Sequence, residues 1–186
     1  MYGLVNKAVH DLVVTKFGAE AWDTIRRRAG VESVSFVGLQ PYPDAVTYRL
    51  VEAASETLDL PPAKVLEAFG EYWMTYTARE GYGELLDLTG GDFVSFLQNL
   101  HALHARIRRG FPGLQPPELR CTEVTASSLR LHYHSQRPGL APFVVGLLRG
   151  LGKRFGVEVS VTLDRTRDEG HDHDEFVVHF HPAREG

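Results

Sequence analysis

The chain is predicted to adopt an α+β fold: a helical N-terminal subdomain, then a C-terminal subdomain with about four antiparallel strands and one long helix. Three observations predict this. Up to about residue 111, apolar residues recur every three or four positions, the spacing of one helix face. After Pro112 the period drops to two, as in half-buried strands. Between two such strand pairs, residues 139–155 return to the helical period. A length of 186 residues suits one domain, or two closely joined subdomains, with a substantial core. The division is placed near residue 62, giving segments 1–62 and 63–186.

The elements follow in order. Leu4, Val5, Val9, Leu12 and Val13 mark a first helix over 3–17, ending near Gly18. A second, over 19–29, turns Trp22 and Ile25 inward and Arg26, Arg27 and Arg28 outward. Residues 31–42 are irregular, punctuated by Gly38 and Pro41. Asp44 is a suitable N-cap for a third helix through Leu50, Val51 and Leu58. Pro61 and Pro62 open a fourth, rich in aromatics, because the first helical turn has no N–H bonds to lose. After a short piece at 82–88, Asp92 caps a helix whose stripe is Phe93, Phe96, Leu97, Leu100, Ile107 and Phe111. Gly110 and Pro112 end it. Leu119–Val124 and Leu129–Gln136 form a hairpin about a turn at 125–128. The helix over 139–155 and strands at 157–163 and 175–181 complete the chain, with an acidic connection at 164–174.

Composition narrows the function classes. With 24% charged residues and a net charge of −4, the chain has no basic footprint for nucleic acid or an anionic membrane. The single cysteine, Cys121, excludes an internal disulfide framework and a cysteine-built zinc or iron–sulfur site. No apolar run approaches the ~20 residues of a membrane span. The opening Met1-Tyr-Gly-Leu-Val-Asn-Lys7 lacks a charged-then-apolar signal segment, so a cytoplasmic protein is expected.

Two features carry chemistry. His104 lies inside the apolar stripe, four residues after Leu100 and three before Ile107, whereas His101 falls toward its edge. A buried imidazole left unpaired costs about 1–3 kcal/mol, so His104 needs a partner. That partner is either a backbone carbonyl in an ordinary core or the iron of a haem, whose faces suit the surrounding Phe and Leu side chains. The second feature is Tyr133-x-Ser135-x-Arg137. In an extended chain these share a face and form a receptor for one or two carboxylates. On its own the same spacing reads more simply as a half-exposed strand end before Pro138-Gly139.

Together these segments resemble the H-NOX family, the haem-based nitric oxide sensors that include the haem domain of the soluble guanylate cyclase beta subunit. The matching residues are Met1-Tyr-Gly-Leu-Val-Asn6, Phe69-Gly-Glu-Tyr-Trp73, Glu80-Gly-Tyr-Gly83 and Asn99-Leu-His-Ala-Leu-His104. They continue with Phe111-Pro-Gly-Leu-Gln-Pro-Pro117, Tyr133-x-Ser135-x-Arg137 and Gly139-Leu-Ala-Pro142. The likeness spans essentially the whole chain in family order.

By position, the resemblance implies haem b buried between the subdomains. His104 is then the axial ligand, Tyr133, Ser135 and Arg137 hold the propionates, Pro117 distorts the macrocycle and Leu100 lines the haem-binding site. Val5, Val9, Trp73, Phe143 and Leu147 would line the distal pocket. Oxygen-binding relatives carry a tyrosine near Phe143, and here no tyrosine stands between Arg137 and Phe155. The expectation is a sensor, not an enzyme, that takes NO and CO over O₂. NO would weaken the hold on His104, relax the strain at Pro117 and shift the subdomains. A separate histidine kinase or diguanylate cyclase would receive the signal. A haem enzyme such as a peroxidase needs a distal acid–base group, and none of these residues supplies one. A haem-free interaction module leaves His104 and the carboxylate receptor without a shared purpose.

Other signals weigh less. The His171-Asp-His-Asp174 tract, with His179 and His181, has ligands for zinc or nickel but reads more simply as a solvated acidic loop. The glycines of Gly146–Lys153 miss the phosphate-loop spacing and fall on a helix. His10 and His132 read as surface residues, and Cys121 as a small strand residue.

Overall fold

The computed structural model describes residues 1–32, 35–111 and 113–183. Helices α1 (Gly3–Phe17), α2 (Ala19–Arg28) and α3 (Asp44–Leu58) are followed by α4 (Pro62–Thr77), with Pro61 and Pro62 at its start. A π-helical turn over Ala78–Tyr82, relieved by Gly81 at a φ of 91°, leads into the short α5 (Gly83–Asp87). Helix α6 (Phe93–Gly110) then carries His104. Its start is a full capping box: Asp92 accepts from the amides of Val94 and Ser95, and the Ser95 hydroxyl accepts from the Asp92 amide. The expected helix stop at Pro112 lies outside the described residues.

Strands β1 (Glu118–Thr122) and β2 (Ser128–His134) form the predicted hairpin. Helix α7 (Ala141–Phe155) leads to β3 (Val157–Arg165) and β4 (Asp174–Pro182). The four strands make one antiparallel sheet in the order β1-β2-β4-β3, so β4 inserts between β2 and β3. Leu129, Leu131 and Tyr133 of β2 point to one buried face, as the period-two pattern requires.

Two apolar cores result. One gathers α1, α2 and α3 with Phe69 and Tyr76 of α4. The other gathers α5, α6, α7 and the sheet with Met74 of α4. Helix α4 serves both and lies against α7 at backbone distance. A Cβ on Gly70 would stand 2.0 Å from the Phe143 carbonyl, and one on Gly146 1.9 Å from the Glu67 carbonyl. Those glycines are packing residues, which is why the Gly146–Lys153 run has no loop to offer a phosphate.

Three expectations need correction. Asp44 is the first residue of α3 rather than its cap, and it makes no capping bond, because its carboxylate is held elsewhere. The α6 stripe is buried through Leu100, but Phe111 is 37% exposed, since the last turns leave the core. Strand β2 ends at His134, so Ser135 and Arg137 lie beyond the strand, and a turn rather than strand alternation holds them near Tyr133.

Candidate functional site

The site is built on the C-terminal part of α6, where His104 faces the Gly113–Pro117 segment. His104 Nδ1 lies 2.9 Å from the Pro117 carbonyl oxygen. A carbonyl only accepts, so Nδ1 carries the proton and Nε2 keeps its lone pair. Burial holds the His104 imidazolium form off, pushing its pKa below 6.5, and nearby His101 acts in the same direction; the carbonyl bond opposes this only in part. The result is a neutral imidazole with an oriented ring and one free nitrogen, the form required of a metal ligand.

Arg137 stands at the second focus, with its side chain 18% exposed. Its Nε donates to Asp44 Oδ2 at 2.8 Å and its Nη2 to Oδ1 at 3.4 Å, a fork on one carboxylate. Its Nη1 donates to the Gln115 carbonyl at 2.7 Å. Three of five guanidinium N–H groups are thus committed, leaving two for a further acceptor. Burial pushes the Asp44 carboxyl up, yet bonds from the Met1 α-amino group and Arg137 outweigh it and hold the carboxyl below 3.8. The Ser135 hydroxyl accepts from the Arg137 amide at 3.1 Å, shaping the turn. Tyr133 is 4% exposed, and burial pushes its hydroxyl up, so it remains a protonated donor beside Ser135.

Sequence reasoning missed what locks this turn to α3. Tyr48 donates to the Pro138 carbonyl at 2.9 Å, one helical turn beyond Asp44. Asp44 and Tyr48 therefore clasp the β2–α7 turn from the other core. Neither contact has a local signature, because the partners are 93 and 90 residues apart.

The residues expected in the distal pocket stand on α1, α4 and α7. Val9 is buried, while Val5, Trp73 and Phe143 are partly buried against the N-terminal core and Leu147 against the C-terminal one. Phe69 braces them, with its ring 5.1 Å from Phe143 and 6.1 Å from Trp73. Leu100 is buried one turn before His104. A separate cavity of about 900 Å³ lies among α1, α3, α4 and the end of α7; of the proposed site residues only Val9 lines it.

The donor set fits a haem: an oriented neutral imidazole, apolar side chains kept partly accessible, and hydroxyl and guanidinium donors for carboxylates. A family model described as haem-NO-binding matches residues 2–163. The chain is 31% identical over 176 residues to the soluble guanylate cyclase gcy-32 of Caenorhabditis elegans, covering 92% of this chain and 26% of that protein. It is 23% identical over 170 residues to soluble guanylate cyclase 89Da of Drosophila melanogaster, covering 91% and 26% respectively. It thus spans about a quarter of the length of these curated relatives. In fold it is similar to an H-NOX protein from S. oneidensis, solved in the Fe(II)NO ligation state, with TM-score 0.87 at 21% identity over 97% of this chain and 99% of that one. The unliganded Fe(II) H-NOX protein from K. algicida gives TM-score 0.85 at 23% identity over the whole of both chains.

Proposed function

Because the chain belongs to the haem-NO-binding family, a family of haem-binding gas sensors, we propose that it senses nitric oxide and CO, excludes O₂, and signals to a separate protein. The observation that carries this reading is the bond from His104 Nδ1 to the Pro117 carbonyl, which leaves Nε2 free. His104 would be the axial ligand of haem b, with Leu100 and Pro117 against the macrocycle and Tyr133, Ser135 and Arg137 toward the propionates. Val5, Val9, Trp73, Phe143 and Leu147 would line the gas side. When bound, haem would supply the ferrous iron that takes the gas.

The chain's own residues then determine selectivity and signal. Phe143 itself offers no hydroxyl, and bound dioxygen, which draws charge from iron, needs such a donor far more than NO does. His104 is tied through Pro117 to the 113–117 segment, and Gln115 of that segment to Arg137. Arg137 in turn holds Asp44 on α3. A change in the hold on His104 would be felt across the division near residue 62, between the distal and haem-ligating subdomains. For a signal to pass, the gas must favour one arrangement of these contacts over the other. The receiver is proposed to be a histidine kinase or a diguanylate cyclase.

The test is the absorption spectrum of the reduced, haem-loaded protein in air, then with NO. A five-coordinate ferrous spectrum unchanged by air and shifted by NO is expected. A stable oxygen complex would overturn the selectivity, and failure to take up haem would overturn the sensor reading.

A further inference from the structure

A cluster outside this site joins β2 to β4. His132 and Glu175 are directly opposite each other in the ladder, and His173 precedes Glu175 by two residues. His132 Nδ1 lies 2.9 Å from His173 Nε2, His173 Nε2 3.4 Å from Glu175 Oε1, and His132 Nδ1 3.8 Å from the same oxygen. The side chains are only 20%, 13% and 11% exposed. His132, expected on the surface, is therefore half-buried, while His171, His179 and His181 of the sequence tract are exposed and stand apart from the cluster.

We propose that His132, His173 and Glu175 bind a divalent transition metal of the zinc class. Zinc holds nitrogen and oxygen ligands at about 2.0–2.2 Å, and tetrahedral geometry then spaces those ligands about 3.3–3.5 Å apart. The three observed separations bracket that spacing. Two imidazoles and one carboxylate suit zinc and leave a fourth position open.

The surroundings also match. His173 Nδ1 lies 2.7 Å from Asp172 Oδ1, an acceptor that places the proton on Nδ1 and the lone pair on Nε2. His132 Nε2 lies 2.8 Å from the Thr122 hydroxyl, which orients that ring. With both outer nitrogens engaged, the two inner ones face each other, where either a proton or a metal cation must lie between them. Arg130 occupies Glu175 Oε2 at 3.2 Å, leaving Oε1 toward the imidazoles. Arg165 approaches Oε1 at 3.7 Å on an exposed side chain and is free to swing away. His134 stacks on His173 with ring centroids 4.0 Å apart and screens the cluster. A metal here would pin β2 to β4 next to Tyr133, the strand's contribution to the carboxylate receptor. The site does not depend on the haem reading.

The test is titration of the chelator-treated full chain with Zn²⁺ alone, in competition with a chromophoric chelator. One zinc per chain is expected, with an accompanying rise in thermal midpoint. His173→Ala and Glu175→Gln should weaken it at least tenfold, while His171→Ala leaves it unchanged. Circular dichroism establishes that the variants fold, and the absorption bands of bound Co²⁺ report tetrahedral coordination directly, with His132→Gln as a second ligand variant. No zinc uptake by the native chain would overturn the proposal. So would an equal loss in His171→Ala, which would signal chelation by scattered surface histidines.

Discussion

At the scale of single residues, Asp44 and Phe143 hold the clearest consequences. The folded-state pKa of Asp44 lies below its ordinary 3.8, so its pairing stabilises the fold fully above that pH. The contribution is lost as pH falls through the depressed value. Asp44→Asn should therefore flatten the acid limb of stability below pH 3.8, which thermal melts across a pH series would read. A steep limb unchanged in the variant would assign acid sensitivity to other carboxylates. Phe143 bears on ligand choice, because Phe143→Tyr places a phenol in the apolar wall without changing its size greatly. The variant is expected to form an oxygen complex in air that the native protein lacks, visible in the reduced spectrum. Cys121 carries no such role: burial pushes its thiol up to about 11, which keeps it an unreactive strand residue.

At the scale of elements, the crossing of α4 and α7 is the most constrained contact. It brings Trp73 and Phe143 toward one another only because Gly70 and Gly146 let the two backbones touch. Gly146→Ala must push the helices apart, since the new Cβ would fall 1.9 Å from a backbone oxygen that cannot rotate away. Overpacking of this kind costs about 1–3 kcal/mol, measurable as a lower denaturant midpoint. A midpoint equal to the native one would mean that α7 slides along α4 without loss. The start of α6 is fixed independently by its capping box. Asp92→Ala should cost about 1 kcal/mol by the same measurement and leave the haem spectrum intact, since His104 lies three turns further on.

At the scale of the whole molecule, Arg137 connects the two cores and the carboxylate receptor at once. Its removal should loosen haem and uncouple α3 from the β2–α7 turn together. Charged hydrogen bonds contribute about 1.5–3 kcal/mol, so Arg137→Ala is expected to speed haem transfer to a scavenging apoglobin by about ten- to a hundredfold. Asp44→Asn breaks the link to α3 but spares the guanidinium, and should leave that transfer much slower. Equal rates in the two variants would place the importance of Arg137 in the inter-core link alone. Among the described residues no helix is long and apolar enough to cross a membrane.

Much of this was already legible in the chain. Helix and strand positions followed from apolar periods of 3.6 and 2, because each element must bury one face, and the spacing of that face is set by backbone geometry alone. His104 stood out because a histidine inside an apolar stripe demands a partner, and the order of short motifs pointed to its family. Contacts between residues far apart in sequence emerged only once the chain was folded. Asp44 reads locally as a helix cap, yet it pairs with Arg137 ninety-three residues away. Alternation along an extended chain placed Ser135 and Arg137 beside Tyr133, but the strand stops at His134, and it is a turn shaped by the Ser135 hydroxyl that keeps them near it. His132 and His173 belong to separate stretches until β4 inserts beside β2 and brings their rings together. Periodicity reports which face of an element is buried; it carries no information about which buried or half-buried groups will meet.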